Sequence, residues 1–363
     1  MALISLGNWL INPFEAFDPP VIPGVTDRPK TNVYEHERIY KACHVLRVKP
    51  ETVILGSSRA NFGLSPEHPG WRHRPVYNLG ISGGSIEYID AFFQHACANG
   101  SIKEALILLD YASPSLAGSQ LALPEQFWLD TCHGQLTQSR AFARLQQSLW
   151  SWDALKAGLE QCFGPQASYY YKGNGWLDNE AIWQARLKER ALMSDNPWPK
   201  GFDLPRPPFT GVANQGRDWN YLRSILALAA DRNIKVSLVI SPIHDLLWKR
   251  YIDVDGMDTV LEWRREILAT LDAEGRRSGR PAPLLWDFAL NPWSAMSPEA
   301  LDSERGGNVP LFLESSHFSV RVGDRLLDRV LLDLPGPDPA MGIRLTSSNV
   351  ERQLETLRKR WQP

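Results

Sequence analysis

Two adjacent hydroxyls, one imidazole and one carboxylate are the side chains of this sequence best suited to group-transfer chemistry. Ser57 and Ser58 follow directly on Thr52-Val53-Ile54-Leu55-Gly56, an apolar run that closes on small residues. A serine hydroxyl becomes a useful nucleophile only when an imidazole takes its proton, and the imidazole needs a carboxylate to fix its tautomer. Glu314-Ser315-Ser316-His317 supplies both from one short segment. A carboxylate three residues before a histidine can fold back within a turn onto Nδ1, leaving Nε2 to face a serine. Charge developing on an attacked carbonyl oxygen needs backbone N–H donors. The N–H of Ser58 and that of Gly83 are the candidates, since bare glycine backbone approaches a developing charge closely. Each residue also has a plainer reading: a Gly-Ser turn for Ser58, a capping or core histidine for His317, a surface carboxylate for Glu314. Arg59, Asp110 and His244 are candidates for substrate binding. Arg59 could take an acidic sugar or acyl donor, or pair with Asp110 as a structural salt bridge, which is the favoured reading. His244 is as readily structural as functional.

These residues need a sheet to converge on. Apolar runs at 52–55, 75–79, 105–110, 235–241 and 284–288 read as buried parallel strands, each closing on small or ionisable residues. Between them lie helical periods at about 85–100, 218–232 and 257–273, with a sheet-packing helix around Val322, Leu326, Leu327 and Val330. Ser85 is a plausible N-cap and Gly100 a plausible stop for the first of these. Strand, helix and strand at this spacing make βαβ units, so the class is α/β with a central parallel sheet. Ligands of such sheets bind at the carboxyl ends of the strands. Residues 1–48 read as an N-terminal arm and a leading helix over 32–48, residues 49–335 as the α/β domain, and residues 336–363 as a C-terminal helix. Residues 115–215 change character. Helical segments near 127–136, 142–162 and 180–191, an aromatic Tyr169-Tyr170-Tyr171-Lys172-Gly173-Asn174-Gly175-Trp176 stretch and a proline-rich 196–208 form an insertion expected to cap the sheet edge.

In order and type, these blocks resemble the SGNH (GDSL-like) hydrolases and the related polysaccharide O-acetyltransferases. Gly56-Ser57-Ser58 is similar to the family's first block, with Ser57 where Asp is usual. Asn78-Leu79-Gly80-Ile81-Ser82-Gly83-Gly84-Ser85 resembles the second, whose glycine donates to the oxyanion. Glu314 and His317 resemble the last block, with Glu for the usual Asp. The third block departs: Asp110-Tyr111-Ala112-Ser113 lacks the Asn that gives a third oxyanion donor, and losing such a donor costs about 10²–10³ in rate. The resemblance covers most of 50–115 and 235–332. It implies a three-layer α/β/α, flavodoxin-like SGNH-hydrolase fold with a helical insertion. It further implies an esterase or O-acetyltransferase acting on O-acyl groups of a carbohydrate or exopolysaccharide, with no cofactor. The alternative is a catalytically silent, SGNH-like carbohydrate-binding or scaffold protein of an exopolysaccharide assembly.

Composition bounds the rest. The chain has 363 residues, 43% hydrophobic and 22% charged, with a formal net charge of −2. That balance gives no electrostatic case for nucleic acid or an anionic membrane. Four cysteines without a CxxC pair argue against a zinc site, and their spacing leaves disulfides and free thiols open. The 14 Trp residues, among them Trp71, Trp128, Trp150, Trp152, Trp176 and Trp183, are candidates for stacking on sugar rings or for the core. The apolar residues 1–11 are too short to span a bilayer. They suit the tail of a membrane anchor or signal segment, or a docking strand. The glycan reading and such an anchor together lean toward a periplasmic or other extracytoplasmic location, with the cytoplasm as the other possibility.

Overall fold

In the computed structural model, residues 2–24, 26–27, 30, 33–111, 128–130, 138–164, 170–178, 219–296, 311–333 and 341–362 are described. The expected helices around 127–136 and 180–191 fall largely outside them, as do the proline-rich 196–208, Trp183, Cys132, Ala112 and Ser113. In chain order the helices are α1 (Ala2–Ile11), α2 (Glu37–Val48), α3 (Ser58–Gly63), α4 (Ile86–Asn99), α5 (Gln138–Leu149), α6 (Trp152–Phe163), α7 (Asn220–Asp231), α8 (Asp245–Asp255), α9 (Met257–Ser278), α10 (Val320–Leu332) and α11 (Val350–Trp361). The strands are β1 (Thr52–Leu55), β2 (Val76–Asn78), β3 (Glu104–Leu109), β4 (Tyr170–Tyr171), β5 (Leu177–Asp178), β6 (Lys235–Ile240), β7 (Leu284–Asp287) and β8 (Ile343–Leu345).

Successive strand residues point to opposite faces, and the core divides accordingly. Val53, Leu55, Tyr77, Ile107, Leu109, Leu238 and Ile240 pack on one side with residues of α2, α4, α7, α9 and α11. Ile54, Val76, Leu106, Leu108, Val239 and Trp286 pack on the other with Ala60 of α3 and with Val322, Leu326 and Leu327 of α10. The molecule is therefore α/β, with helices on both faces of one six-stranded sheet.

The sheet runs β2-β1-β3-β6-β7-β8. The first five strands pair in parallel, and β8 lies antiparallel on β7. The expected all-parallel sheet is thus corrected at one edge, where three residues are too few to display a period. The strand order reverses between β1 and β3. In doubly wound sheets that reversal opens the crevice where ligands sit, and Ser57, Ser58 and Asp110 all lie just beyond those two strands.

Other expectations shift in detail. Residues 2–11 form a helix rather than a docking strand; α1 packs on α5 and α6, and Asn8 Nδ2 donates to the Leu149 carbonyl at 2.9 Å. Helix α2 starts at Glu37, since residues 33–36 form turns. Ser85 does occupy the N-cap of α4, but its side chain makes no capping hydrogen bond there. From the insertion, the hairpin β4–β5 lies along the outer edge of the sheet, where Asn78 N donates to the Asn174 carbonyl at 2.9 Å. Cys43 and Cys162 are free thiols. Trp71 and Trp128 belong to the core, which leaves them no free face for a sugar.

Candidate active site

The turn out of β1 accepts only glycine at its first position. Gly56 has φ of 152°, and a Cβ there would stand 2.8 Å from Ala60 Cβ and 3.0 Å from Leu108 Cβ. Ser57 then caps α3, its hydroxyl accepting from Arg59 N at 3.3 Å. Ser58 becomes the first residue of that helix, where a backbone N–H has no intrahelical partner.

The base arrives on a loop pinned at both ends. Leu313 N donates to the His317 carbonyl and Ser319 N to the Leu311 carbonyl, each at 2.9 Å. Phe318 is fully buried, and its ring fills the space beside Gly63, where a Cβ would lie 2.2 Å from it. A Cβ added to Gly323 of α10 would likewise run into the Gly63 carbonyl, so only a glycine lets α3 and α10 approach backbone to backbone. This contact brings the serine and histidine segments, 259 residues apart in sequence, into register: Ser58 Oγ and His317 Nε2 are hydrogen bonded at 2.7 Å. On the far side of the ring, His317 Nδ1 is hydrogen bonded to Glu314 Oε1, and Glu314 Oε2 accepts from Ser316 N at 2.9 Å. Phe62 packs edge-on to the imidazole with ring centroids 5.4 Å apart. Burial works against ionisation of Glu314, but His317, the Ser316 N–H and Arg59 together hold its carboxyl below the ordinary glutamate value. A carboxylate on Nδ1 fixes the tautomer that leaves Nε2 free to accept the serine proton.

The glycine loop after β2 accounts for its amides one by one. Gly80 N donates to Asn78 Oδ1 at 2.8 Å, Ile81 N to the Gly56 carbonyl at 3.0 Å, Ser82 N to Glu37 Oε1 at 2.7 Å, and Gly84 N to the Ile81 carbonyl at 2.8 Å. The amide left over is that of Gly83, an exposed residue with φ of 66° and open space around it. Together with the Ser58 N–H it is the candidate donor pair for an oxyanion at this edge of the sheet.

Behind the triad lies a second polar cluster. Ser57 Oγ donates to Asp110 Oδ2, and Arg59 Nη1 pairs with Asp110 Oδ1 at 2.6 Å. Arg59 reaches on to the base loop, donating from Nε to the Ser316 carbonyl at 2.9 Å and from Nη2 to Ser316 Oγ at 2.7 Å. Burial opposes the guanidinium charge, but Asp110 and Tyr251 outweigh it and raise its pKa above the ordinary value. Arg59 and Asp110 are both buried. They neutralise each other and brace the loop, the pairing that the sequence reading favours. His244 is buried, its ring caps α8 by accepting from Leu246 N at 3.2 Å, and its backbone N–H donates to the Ser315 carbonyl at 2.9 Å. Its part in the site is to hold the base loop from below.

Sequence reasoning missed a third group. Glu37 and Lys41 of α2, Asn61 of α3 and Tyr171 of β4 interlock beneath the glycine loop. Lys41 Nζ donates to the Gly80 carbonyl at 2.6 Å and to Asn61 Oδ1 at 3.0 Å. Glu37 Oε2 accepts from Tyr171 OH at 2.7 Å and from Asn61 Nδ2 at 3.2 Å. Burial pushes the Lys41 amine down to about 7, against the opposite pull of Glu37. A Glu and a Lys four apart on a helix read as an ordinary surface pair, so only the fold reveals them as interior.

A cavity of about 500 Å³ between α2 and α6, lined by Phe14, His36, Arg38 and Asp153 among others, contains none of Ser58, His317 or Glu314. Among the described residues no cluster of His, Cys, Asp and Glu could hold a metal ion, and no helix is long and apolar enough to cross a membrane. No protein-family model matches the sequence, and no curated protein matches it.

Proposed function

We propose that this protein is a serine-dependent acyl-transfer enzyme of SGNH-like type, an esterase or O-acetyltransferase acting on O-acyl groups of an extracytoplasmic carbohydrate or exopolysaccharide. One observation carries the reading: Ser58 Oγ is 2.7 Å from His317 Nε2, while Glu314 engages the other nitrogen of the same ring. Ser58 Oγ attacks the acyl carbonyl carbon as its proton passes to Nε2. The Gly83 and Ser58 N–H groups take the charge on the carbonyl oxygen. The donor C–O bond breaks, and the leaving alkoxide receives the proton from His317. Water or a sugar hydroxyl then attacks the acyl-Ser58 ester, giving its own proton to His317, which returns it to Ser58 as the product leaves. The carbohydrate substrate follows from the resemblance of the motif blocks.

The test is turnover of p-nitrophenyl acetate with and without an oligosaccharide acceptor, together with labelling by a fluorophosphonate and mapping of the adduct. The expected result is hydrolysis or transfer by the wild type, an adduct on Ser58, and loss of both in Ser58→Ala. An adduct on any other residue, or equal turnover by Ser58→Ala, would sink the assignment.

A second reading, a catalytically silent carbohydrate-binding scaffold, has one observation in its favour. The segment opened by Asp110 lacks the Asn of the third block, and Asp110 itself is an acceptor engaged by Ser57 and Arg59. With two donors in place of three, turnover should run about 10²–10³ slower than a full site allows. A wild type with neither turnover nor adduct but with measurable oligosaccharide binding would favour this alternative.

A further inference from the structure

The acyl-transfer reading leaves unexplained why a fully buried lysine and a buried glutamate sit directly beneath the glycine loop. Their bonds run to the glycine loop, to Asn61 and to Tyr171. Lys41 Nζ ties the Gly80 carbonyl to Asn61 Oδ1. Glu37 ties the other end of the loop, Ser82 N at 2.7 Å and Ser82 Oγ at 3.3 Å, to Asn61 Nδ2 at 3.2 Å. Asn61 lies one turn after Ser58 in α3. The two α2 side chains therefore hold Gly80 and Ser82, the stretch of loop that leads into Gly83, and anchor it to the helix that carries Ser58. Tyr171 of the inserted hairpin closes the cluster, donating its hydroxyl to Glu37 at 2.7 Å, with Lys41 Nζ 4.8 Å from its ring centroid.

We propose, building on the acyl-transfer reading, that Glu37 and Lys41 are positioning residues. They set the distance between the Gly83 N–H and Ser58, and so fix the oxyanion donors before substrate arrives. The physical case is preorganisation. A donor counts fully only when held where the oxyanion forms, and burying ionisable groups has a cost that a packed apolar helix would avoid. The loop itself is glycine-rich, and nothing presses on Gly83. Glu37 through Ser82 and Lys41 through Gly80 supply the rigidity that the loop's own side chains lack.

The test compares wild type with Lys41→Met, which keeps the stem and removes the donors, and with Tyr171→Phe, which removes one hydroxyl and leaves the ring. With p-nitrophenyl acetate, Lys41→Met should lose kcat by about 10–10², the scale of a displaced oxyanion donor, with KM within about threefold. Affinity for a trifluoromethyl ketone, whose adduct on Ser58 places an oxyanion in the site, should fall by the same factor as kcat/KM. Tyr171→Phe should lose about 3–10-fold by the same measures. In both variants amide hydrogen exchange over 80–84 should accelerate while that of α4 and β3 is unchanged.

Should Lys41→Met prove unfolded, Tyr171→Phe and its exchange data decide the matter. A folded variant with unchanged kcat, unchanged inhibitor affinity or unchanged exchange over 80–84 overturns the positioning role while leaving the acyl-transfer reading intact. A wild type without turnover or serine adduct overturns both.

Discussion

Ser57 and Ser58 are neighbours of the same type, yet they face different partners and have different chemical prospects. Ser58 meets an imidazole nitrogen that can accept a proton and later release it. Ser57 meets Asp110, whose charge is already matched by Arg59. One hydroxyl is thus joined to a proton relay and the other to a closed ion pair. The turn at Gly56 produces the difference by rotating successive side chains to opposite sides as the strand becomes a helix. Reactivity here is set by the partner a serine is given, and the second cluster serves the first: Arg59 spans from Asp110 to Ser316, one residue from His317.

The largest effect should separate the two serines. Ser58→Ala should lower turnover by at least about 10⁴, since removing the nucleophile leaves only residual binding and oxyanion effects. Ser57→Ala should stay within about tenfold in the same ester assay. Equal losses in both would break the distinction. Next comes the orienting carboxylate. Glu314→Gln should cost about 10²–10⁴ in kcat, as the wrong imidazole tautomer becomes available. Because the Glu314 carboxyl titrates below its ordinary value, its ion pair stabilises the fold above about pH 4.3 and that contribution is lost as pH falls through the lower native value. Acid unfolding followed by circular dichroism should therefore show a shallower low-pH loss in Glu314→Gln than in wild type; identical profiles would show that the pair contributes nothing.

The second cluster should respond in stability rather than in chemistry. Asp110→Asn strands the Arg59 guanidinium in a buried site, and breaking such a pair from one side costs about 3–5 kcal/mol. Urea melts would measure it. A loss under about 1 kcal/mol would mean the guanidinium finds water instead, as exposed pairs do.

The sheet was largely legible because its five parallel strands are predominantly apolar runs, β6 broken by Ser237, that close on small or polar residues. Strand β8 and the β4–β5 hairpin were not, since two or three residues carry no period. Ser58, Glu314 and His317 could be picked out because their grouping is local: a strand-end turn, and a carboxylate within one turn of a histidine. Gly83 stood out through its glycine-rich surroundings, although only the hydrogen bonds of its neighbours single it out from Gly80 and Gly84. Arg59 and Asp110 could be weighed as either ligands or a pair, and burial decides for the pair. Glu37, Lys41, Asn61 and Tyr171 carry no local signal. They come from three elements, α2, α3 and β4, and their meeting is a property of the packing alone.

The smallest effect tests the plainest role of Ser57. As the N-cap of α3 it accepts from Arg59 N, and replacing a capping serine with alanine typically costs about 1 kcal/mol. It also donates to Asp110, so Ser57→Ala leaves a buried carboxylate oxygen with one donor fewer. Ser57→Asn keeps both roles available, because an asparagine oxygen can still cap while its amide can still donate to Asp110. Thermal melts should place Ser57→Asn between wild type and Ser57→Ala. If Ser57→Asn is instead the less stable variant, the hydroxyl is retained for its size in the crowded turn beside Gly56, and the two serines differ by packing as well as by partner.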